Sequence, residues 1–342
     1  MGNIRDNTIT EILDTDEYRR LRRALAQDTP AANCARCHQQ QHLETPQQYR
    51  YLRDHYNQLF KMVDVDYDDD RAFALTGIDL HWSSTCNLRC VTCWEKQSSA
   101  IAKELKLPIE TTTEPEVEFL IDWLVDRQSE LREIYLSGGE PLLIKHNLRL
   151  LRRLRRDQQF VLRVNSNFTQ HANNQIMREL LEFPRVLMTI SADDIDTRFE
   201  YIRHGAQWQT FLNNVKRYQH THLQWRVNSV FFVASAANLI NTQRFFRNQF
   251  GFEDFTINQC AMEKHALKCR NLAEPLKDKV RQDMLQAQQQ WHHDANLVGQ
   301  YTSCLQELDS EPNQYSYQDY FDDIDRRRGT NWRATFPELA HG

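Results

Sequence analysis

Short apolar runs of β type alternate with amphipathic helical runs from about residue 76 onward, and this alternation predicts a parallel α/β sheet. Six runs have the length and composition of strands. They lie at 78–82, 132–136, 160–164, 185–190, 225–233 and 252–257.

Two of the intervening runs carry helix signals. The segment 113–116 has the Ser/Thr-x-x-Glu form of a capping box, and apolar residues follow it at helical spacing. Further along, a leucine stripe lies among five arginines, which predicts a solvated helix face; a docking surface for an acidic partner is the alternative. The apolar positions are Val117, Leu120, Ile121 and Leu124 in the first run and Leu148, Leu151 and Leu154 in the second.

The flanks differ from this central part. Residues 1–75 have mainly helical patterns, at 9–13, 18–25 and 47–60, and the acidic segment 64–70 has the composition of a linker. Residues 260–342 are helical and polar. The sequence therefore predicts a helical N-terminal extension at 1–75, an α/β domain at 76–259 and a C-terminal extension at 260–342.

Composition limits the classes of function. The 342 residues are 40% hydrophobic and 26% charged, as in an ordinary soluble protein. Lys and Arg number 42 against 47 Asp and Glu, and the net charge of −5 argues against a polyanion, so no nucleic acid is indicated as a partner. No apolar run approaches the ~20 residues that span a bilayer, and the polar first residues lack a secretory signal, so a cytoplasmic protein without membrane contact is expected. Eight cysteines in that compartment are expected to be metal ligands or reduced thiols.

Cys86, Cys90 and Cys93 follow the first predicted strand directly. A zinc site normally takes four ligands in two close pairs, whereas three thiolates in one short loop can hold three irons of a cubane cluster and leave the fourth iron open. Taken alone, the run also fits part of a zinc site or three ordinary buried thiols.

A second motif, Gly138-Gly139-Glu140-Pro141, follows the second predicted strand. The chain contains only 9 glycines, so two adjacent ones indicate a place where backbone must approach a ligand closely. Taken alone, the pair also fits a simple turn at a strand end.

Together, in this order and each after a strand, the two motifs resemble the radical S-adenosylmethionine (SAM) superfamily. The resemblance implies an α/β fold, a partial TIM-type (β/α)6 barrel with helical N- and C-terminal extensions. It also implies an oxidoreductase-type enzyme in which Cys86, Cys90 and Cys93 ligate a 4Fe-4S cluster and SAM chelates the open iron. Reductive cleavage of SAM would then give a 5'-deoxyadenosyl radical that abstracts a substrate hydrogen, with electrons from a small flavodoxin- or ferredoxin-type donor protein.

The resemblance further implies residues that contact SAM. The glycine motif corresponds to the loop that meets the SAM amino group, and polar residues end the third and fourth predicted strands where ribose or carboxylate contacts are expected; a purely structural role is the alternative for each. Thr92 departs from the bulky residue usual before the third cysteine, and Trp94 is expected to take over stacking on adenine. The residues implied are Gly138, Gly139, Glu140, Pro141, Asn165, Asn167, Ser191 and Asp193, with Asn228 as a weaker candidate.

The N-terminal residues resemble the end of the auxiliary-cluster domains called SPASM or twitch. By that resemblance an auxiliary iron–sulfur or zinc site would combine Cys34 and Cys37 with Cys260 and Cys269, or with Cys304. The alternative is an incomplete site with reduced thiols.

Three interpretations of function remain open on the sequence. The first is a radical SAM enzyme acting on a peptide or protein, and the second the same chemistry on a carbohydrate or nucleoside. The third, of another class, is a non-catalytic zinc-binding interaction protein; a radical SAM fold that holds a cluster without turnover lies between them.

Overall fold

The computed structural model describes residues 6–26, 75–109, 113–170, 173–261 and 264–340. The predicted helix at 47–60, the acidic segment 64–70 and the pair Cys34 and Cys37 lie outside these residues. Within them, no helix combines the length and apolar character that crossing a bilayer requires.

Six parallel strands form one sheet in which spatial order follows sequence order, so β1 and β6 are its edges. All six predicted strands are confirmed, with bounds that differ by at most two residues from the sequence pattern. The strands are β1 (Gly77–Leu80), β2 (Glu133–Leu136), β3 (Val161–Ser166), β4 (Val186–Ser191), β5 (Gln224–Phe231) and β6 (Asp254–Gln259). This open parallel sheet with a helical connection after each of its first five strands confirms the α/β partial-barrel architecture.

Helices connect the strands and form both flanks. The N-terminal helices are α1 (Ile9–Leu13) and α2 (Asp16–Ala26). The sheet is covered by α3 (Ser99–Glu104), α4 (Glu114–Asp126), α5 (Lys145–Arg153), α6 (Gln175–Leu180), α7 (Asp196–Ile202), α8 (Trp208–Tyr218) and α9 (Leu239–Phe250). The C-terminal helices are α10 (Glu274–Gln290), α11 (Ala295–Leu308), α12 (Tyr317–Arg328), α13 (Trp332–Thr335) and α14 (Pro337–Ala340).

The helix signals of the sequence correspond to real helices. Thr113 caps α4 with the predicted reciprocal box, in which its backbone N–H donates to Glu116 at 2.8 Å. On α5 the arginines form ion pairs with acidic side chains of α4 and α6; one example is Arg152 with Glu179 at 3.0 Å. These contacts account for the arginine stripe as a solvated face whose acidic partners belong to the chain itself.

The two faces of the sheet have opposite character. Outward residues of the strands pack against the helices and are fully buried, as Ile134, Leu162 and Val164 show. The inner face carries hydroxyl, amide and guanidinium groups, including those of Asn165 and Asn228. Because apolar burial outside supplies the main stabilisation, the inside is left available for polar ligands.

Gln300 on α11 covers the open edge of the sheet at β6. Its amide oxygen accepts from the N–H of Ile257, and its amide nitrogen donates to the carbonyl of Phe255 at 3.1 Å. The side chain thereby gives β6 the two backbone partners that a further strand would give, and it is itself only 4% exposed.

Candidate active site

The three motif cysteines lie on the loop that follows the C-terminal end of β1, and each is half-buried. Two apolar residues between them, Leu88 and Val91, are only 1% exposed and fix the loop to the core. In parallel α/β barrels, ligands bind at this end of the strands. The cysteine loop, residues 86–93, therefore lies where a cofactor is expected.

Backbone hydrogen bonds pin the cysteine loop to the end of α7. The N–H of Arg89 donates to the carbonyl of His204 at 2.9 Å, and the N–H of Val91 donates to the carbonyl of Ile202 at 2.8 Å. These two bonds hold the backbone of the cysteine loop at Arg89 and Val91, on either side of Cys90.

Burial raises the pKa of all three thiols, to about 11 for Cys86 and to about 12 for Cys90 and Cys93. The positive charge of Arg203 opposes this rise at Cys90 and Cys93. The thiols are thus protonated near neutral pH without a metal. Metal ions bind thiolates, so loading this loop must release protons.

The donor set fits a cubane cluster better than a single ion. Among the described residues, no group of three His, Cys, Asp or Glu side chains is arranged to hold one metal ion. In a 4Fe-4S cluster each cysteine binds a different iron, so the sulfurs surround the cluster and stand further apart than the ligands of a single ion. The cysteine loop supplies three half-buried thiols, one for each of three irons.

Arg203 is a buried cation beside this loop. One guanidinium nitrogen lies 3.9 Å from the Cys90 sulfur, and another forms an ion pair with Asp193 at 3.0 Å. The other carboxylate oxygen of Asp193 accepts from the N–H of Val230 at 2.8 Å, which orients the pair. The Nε of Arg203 is buried and has no hydrogen-bond partner among the described residues, so a donor is available to an anionic ligand.

Sequence analysis missed Arg203. The residue ends α7 shortly after the Ser191-Ala192-Asp193 motif and directly follows the buried Ile202. That proximity to the motif was the available signal, but helical periodicity alone assigns an arginine to the surface.

Gly138 and Gly139 are required by a close approach of two loops. Gly138 has φ of +82°, a conformation that favours glycine, and a Cβ atom there would overlap the ring of His81. A Cβ atom at Gly139 would overlap the backbone carbonyl of Thr85. The immediate reason for the pair is therefore contact with the segment 81–85 that leads into the cysteine loop, where the sequence suggested contact with a ligand.

Glu140 links the ends of β2 and β3. Its fully buried carboxylate accepts from Ser166 at 2.7 Å, from the N–H of Asn167 at 2.7 Å and from the N–H of Leu142 at 3.0 Å. Burial raises the pKa of Glu140 to about 6. Its own N–H donates to the carbonyl of Thr85 at 2.7 Å, so backbone and side chain together hold three loops.

Pro141 begins a short 3-10 turn, Pro141–Leu143, and is buried beneath this loop. Its carbonyl accepts from the Asn147 amide at 2.9 Å. The fixed φ of proline suits this first position of the turn, so its visible role is to make the loop rigid.

The polar residues at the end of β3 divide into two groups. Asn167 lies with the cysteine loop: its amide nitrogen donates to Asn87 at 2.9 Å and is 4.0 Å from the Cys86 sulfur. Asn165 lies on the inner face of the sheet, where it accepts from Ser191 at 3.1 Å. Asn165 belongs to β3, whereas Asn167 lies just beyond its last residue, so the alternation of the strand no longer applies and the two asparagines serve different surroundings.

A polar cavity of about 280 Å³ lies inside the partial barrel. Two of its asparagines, on the neighbouring strands β5 and β6, are joined, as Asn258 donates to Asn228 at 2.7 Å. The lining residues are Tyr135, Arg163, Asn165, Thr189, Arg226, Asn228, Thr256, Asn258, Asn296 and Gln300.

The remaining described cysteines are separate from the cysteine loop and buried in the C-terminal part. Cys260, Cys269 and Cys304 are at most 2% exposed. Burial raises the pKa of each, to about 12 for Cys260. The auxiliary site suggested for Cys34, Cys37, Cys260 and Cys269 stays a prediction, since the first two lie outside the described residues.

Two family models match the chain. Residues 80–228 match the radical SAM superfamily, and residues 1–38 match an iron–sulfur cluster-binding domain of the SPASM type. The first range contains all three cysteines of the loop, the glycine motif and Arg203. No curated protein sequence matches the chain significantly.

Solved structures with similar folds share little sequence with the chain. Native anSMEcpe with bound AdoMet is 14% identical with a TM-score of 0.48, over 65% of this chain and 62% of its own. SuiB from Streptococcus suis bound to S-adenosylmethionine is 15% identical with a TM-score of 0.45, over 79% and 58%. TYW1 with a lysine-pyruvate adduct is 13% identical with a TM-score of 0.41, over 64% and 73%. The chain thus spans less than two thirds of the length of the first two.

The family match and the site agree on cofactors. A radical SAM domain implies a 4Fe-4S cluster and SAM, and the SPASM-type match implies an auxiliary iron–sulfur cluster. The thiols of the cysteine loop fit the first of these groups, and a buried guanidinium with an unused donor lies beside them. The chain thus carries a domain of the radical SAM superfamily at residues 80–228.

Proposed function

We propose that the chain is an enzyme that reductively cleaves SAM at a 4Fe-4S cluster held by Cys86, Cys90 and Cys93. The observation that carries this proposal is the set of three half-buried thiols on one loop with the Arg203 guanidinium 3.9 Å from the Cys90 sulfur. When bound, the reduced cluster supplies the electron that splits SAM into methionine and a 5'-deoxyadenosyl radical, which takes a hydrogen atom from the substrate.

Arg203 supplies positive charge where the thiolates and the carboxylate of SAM bring negative charge. A cation buried beside sulfur ligands favours thiolates over thiols and favours the more negative, reduced state of a cluster. Asp193 orients this guanidinium through the 3.0 Å ion pair. The two residues form a unit, so removal of either leaves a buried charge without its partner.

The loop 138–141 positions the SAM amino group. Since the Glu140 carboxylate already accepts hydrogen bonds from Ser166, Leu142 and Asn167, the ammonium of SAM is expected to donate to backbone carbonyls of this loop. The contact of Gly139 with Thr85 sets the distance between this loop and the cysteine loop. Asn165, Ser191 and Asn228, on the inner strand face, are proposed to bind the SAM ribose.

The substrate is proposed to be a peptide or protein. The inner cavity supports this class, because its amide and hydroxyl groups can pair with peptide groups and polar side chains. The same lining suits the hydroxyls of a carbohydrate or nucleoside, which is the second candidate. A flavodoxin- or ferredoxin-type donor and a cytoplasmic location are proposed with it, since both suit a chemistry that needs reduced thiols.

A zinc-binding interaction protein is less well supported. Such a site needs ligands that converge on one ion, and no group of three His, Cys, Asp or Glu does so among the residues that the structure describes.

Iron and sulfide analysis with an assay of SAM cleavage tests the proposal. Anaerobically reconstituted wild type is expected to bind at least four irons and, once reduced, to convert SAM to 5'-deoxyadenosine. A Cys86/Cys90/Cys93 triple alanine variant should lose about four irons and all cleavage. The comparison variant replaces Cys260, Cys269 and Cys304, the candidate ligands of the auxiliary site, with alanine and should keep about four irons at the cysteine loop. Stoichiometric zinc in a colourless wild type, or unchanged cleavage in the first variant, would overturn the proposal.

Deuterium transfer separates the substrate classes. The reduced enzyme is incubated with SAM and a deuterated peptide pool, or with deuterated sugars and nucleosides, and deuterium in 5'-deoxyadenosine is measured. Deuterium from the peptides alone supports the first candidate, and deuterium from the sugars or nucleosides alone supports the second.

A further inference from the structure

The C-terminal helix α12 contacts the backbone of the cysteine loop. The hydroxyl of Tyr320 donates to the carbonyl of Val91 at 3.1 Å, across 229 positions of sequence. Lys264 donates to the same hydroxyl at 2.9 Å. Because Val91 lies between Cys90 and Cys93, this bond acts directly on the segment that carries two of the sulfur ligands.

A second link runs through Glu104 at the end of α3. Its carboxylate, whose side chain is only 7% exposed, pairs with Arg89 at 3.2 Å and with Arg328 at 3.0 Å. Arg327 adds a third guanidinium at 3.2 Å. Arg89 lies between Cys86 and Cys90, whereas Arg327 and Arg328 end α12. The Glu104 carboxylate therefore joins the C-terminal end of α12 to the cysteine loop.

Arg328 brings a buried charge to this junction. Its side chain is 3% exposed, and its Nη1 has no hydrogen-bond partner among the described residues. Burying a guanidinium with an unused donor is costly unless its charge serves another group. Through the shared Glu104 carboxylate, Arg328 lies beside Arg89, the residue that precedes Cys90 in the cysteine loop. Together with Arg203, which is 3.9 Å from the Cys90 sulfur, a second buried arginine thus places positive charge at this loop.

We propose that α12 is a positioning element for the cysteine loop, in which Tyr320 holds the Val91 carbonyl and Arg328 holds Arg89 through Glu104. The part of this proposal that concerns the cluster rests on the proposed function. The helix sets how firmly the loop is ordered before metal binds, and Arg328 raises the reduction potential of the cluster because positive charge favours the reduced state.

Hydrogen–deuterium exchange of the metal-free full chain tests the positioning role. Tyr320→Phe is expected to speed exchange in peptides covering residues 86–94 roughly two- to tenfold, the factor that loss of one net hydrogen bond gives. Tyr317→Phe is the matched control: it makes the same change on the same helix, but its hydroxyl donates to the Leu339 carbonyl at 3.2 Å. Unchanged exchange in Tyr320→Phe, or an equal rise in both variants, would overturn the proposal.

Spectroelectrochemical titration of the reconstituted protein tests the effect of the Arg328 charge on the reduction potential. Arg328→Gln should lower the reduction potential of the cluster, while Arg326→Gln, on the exposed part of the same turn, should leave it at the wild-type value. Arg328→Lys keeps the charge and should have a reduction potential close to the wild-type value. This variant also covers the case in which Arg328→Gln folds poorly. Equal potentials in wild type, Arg328→Gln and Arg328→Lys would contradict the electrostatic part.

Different results would refute the proposed function and the role of α12. A wild type that binds no iron would refute the proposed function and leave the exchange result of the metal-free protein standing. A wild type that binds iron and cleaves SAM, with no change in exchange or potential in the variants, would refute the role of α12 alone.

Discussion

Arg203 lies 3.9 Å from the Cys90 sulfur and forms a buried ion pair with Asp193 at 3.0 Å. The guanidinium thus has two anionic neighbours once the cysteine is a thiolate, and only one in the metal-free protein. The stability of the metal-free protein therefore depends on the carboxylate partner, and the properties of the loaded protein depend on the sulfur.

Arg203→Gln is expected to destabilise the metal-free protein by about 3–5 kcal/mol, because Asp193 would remain as an unpaired buried charge. The double variant Arg203→Gln/Asp193→Asn should recover much of this loss, since it removes both charges. Urea denaturation measures the free energy of unfolding. Arg185→Gln, at an exposed arginine, serves as the control and should change it by no more than about 0.5 kcal/mol. A double variant as unstable as the single one would contradict the pairing.

Gly139→Ala is expected to destabilise the protein by about 1–3 kcal/mol and to reduce iron uptake, because the added methyl group overlaps the Thr85 carbonyl. Thermal denaturation and iron analysis of the reconstituted variant measure the two effects. Gly77→Ala is a matched control on β1, where the nearest atom to a new Cβ is that of Glu133 at 3.9 Å. Equal stability and equal iron uptake in the two variants would show that the overlap at position 139 is not the cause of the loss.

The buried Glu140 should give unfolding a characteristic pH dependence. Its pKa is raised to about 6 from 4.5, so the unfolded chain ionises this carboxyl at lower pH than the folded chain does. Its contribution to stability is therefore complete below about pH 4.5 and falls by about 2 kcal/mol as the pH rises through 6. Glu140→Gln cannot ionise and should lack this fall. Urea denaturation of both metal-free proteins, from below pH 4.5 to above pH 6, measures the free energy of unfolding. Parallel pH profiles of the two proteins would contradict the prediction.

Gln300→Leu should destabilise the protein by about 1–3 kcal/mol, since it removes two hydrogen bonds to the backbone of β6. Gln286→Leu, at an exposed position of α10, is the control for the change from amide to apolar side chain. Hydrogen exchange of peptides covering 254–259 should rise in the first variant and not in the second. Retained protection of β6 in Gln300→Leu would refute the capping role.

The strands could be predicted because each combines β-type residues with a defined position between helices. The errors occur where apolar residues serve packing outside a strand. The prediction began the sixth strand at 252, but Phe252 stacks on Trp225 with ring centres 5.3 Å apart, and pairing starts at Asp254. Likewise Phe232 and Val233 are fully buried just beyond the end of β5.

The candidate site was predictable only where its residues form local motifs. The cysteines and the glycine motif are close in sequence and carry their own spacing. Tyr320 and Gln300 carry no such signal, since each acts on backbone more than 40 positions away. Their roles depend on where the C-terminal helices pack, which periodicity does not specify. The domain boundaries and the residues assigned to SAM stay predictions.

The amide of Gln300 also limits how a substrate can approach. Many extended peptides bind by joining the free margin of a sheet as one more strand, through main-chain hydrogen bonds. At the centre of β6 those hydrogen bonds are already taken by a side chain of α11. A polypeptide chain arriving there finds no free main-chain partners, so the centre of β6 is closed to binding by strand addition.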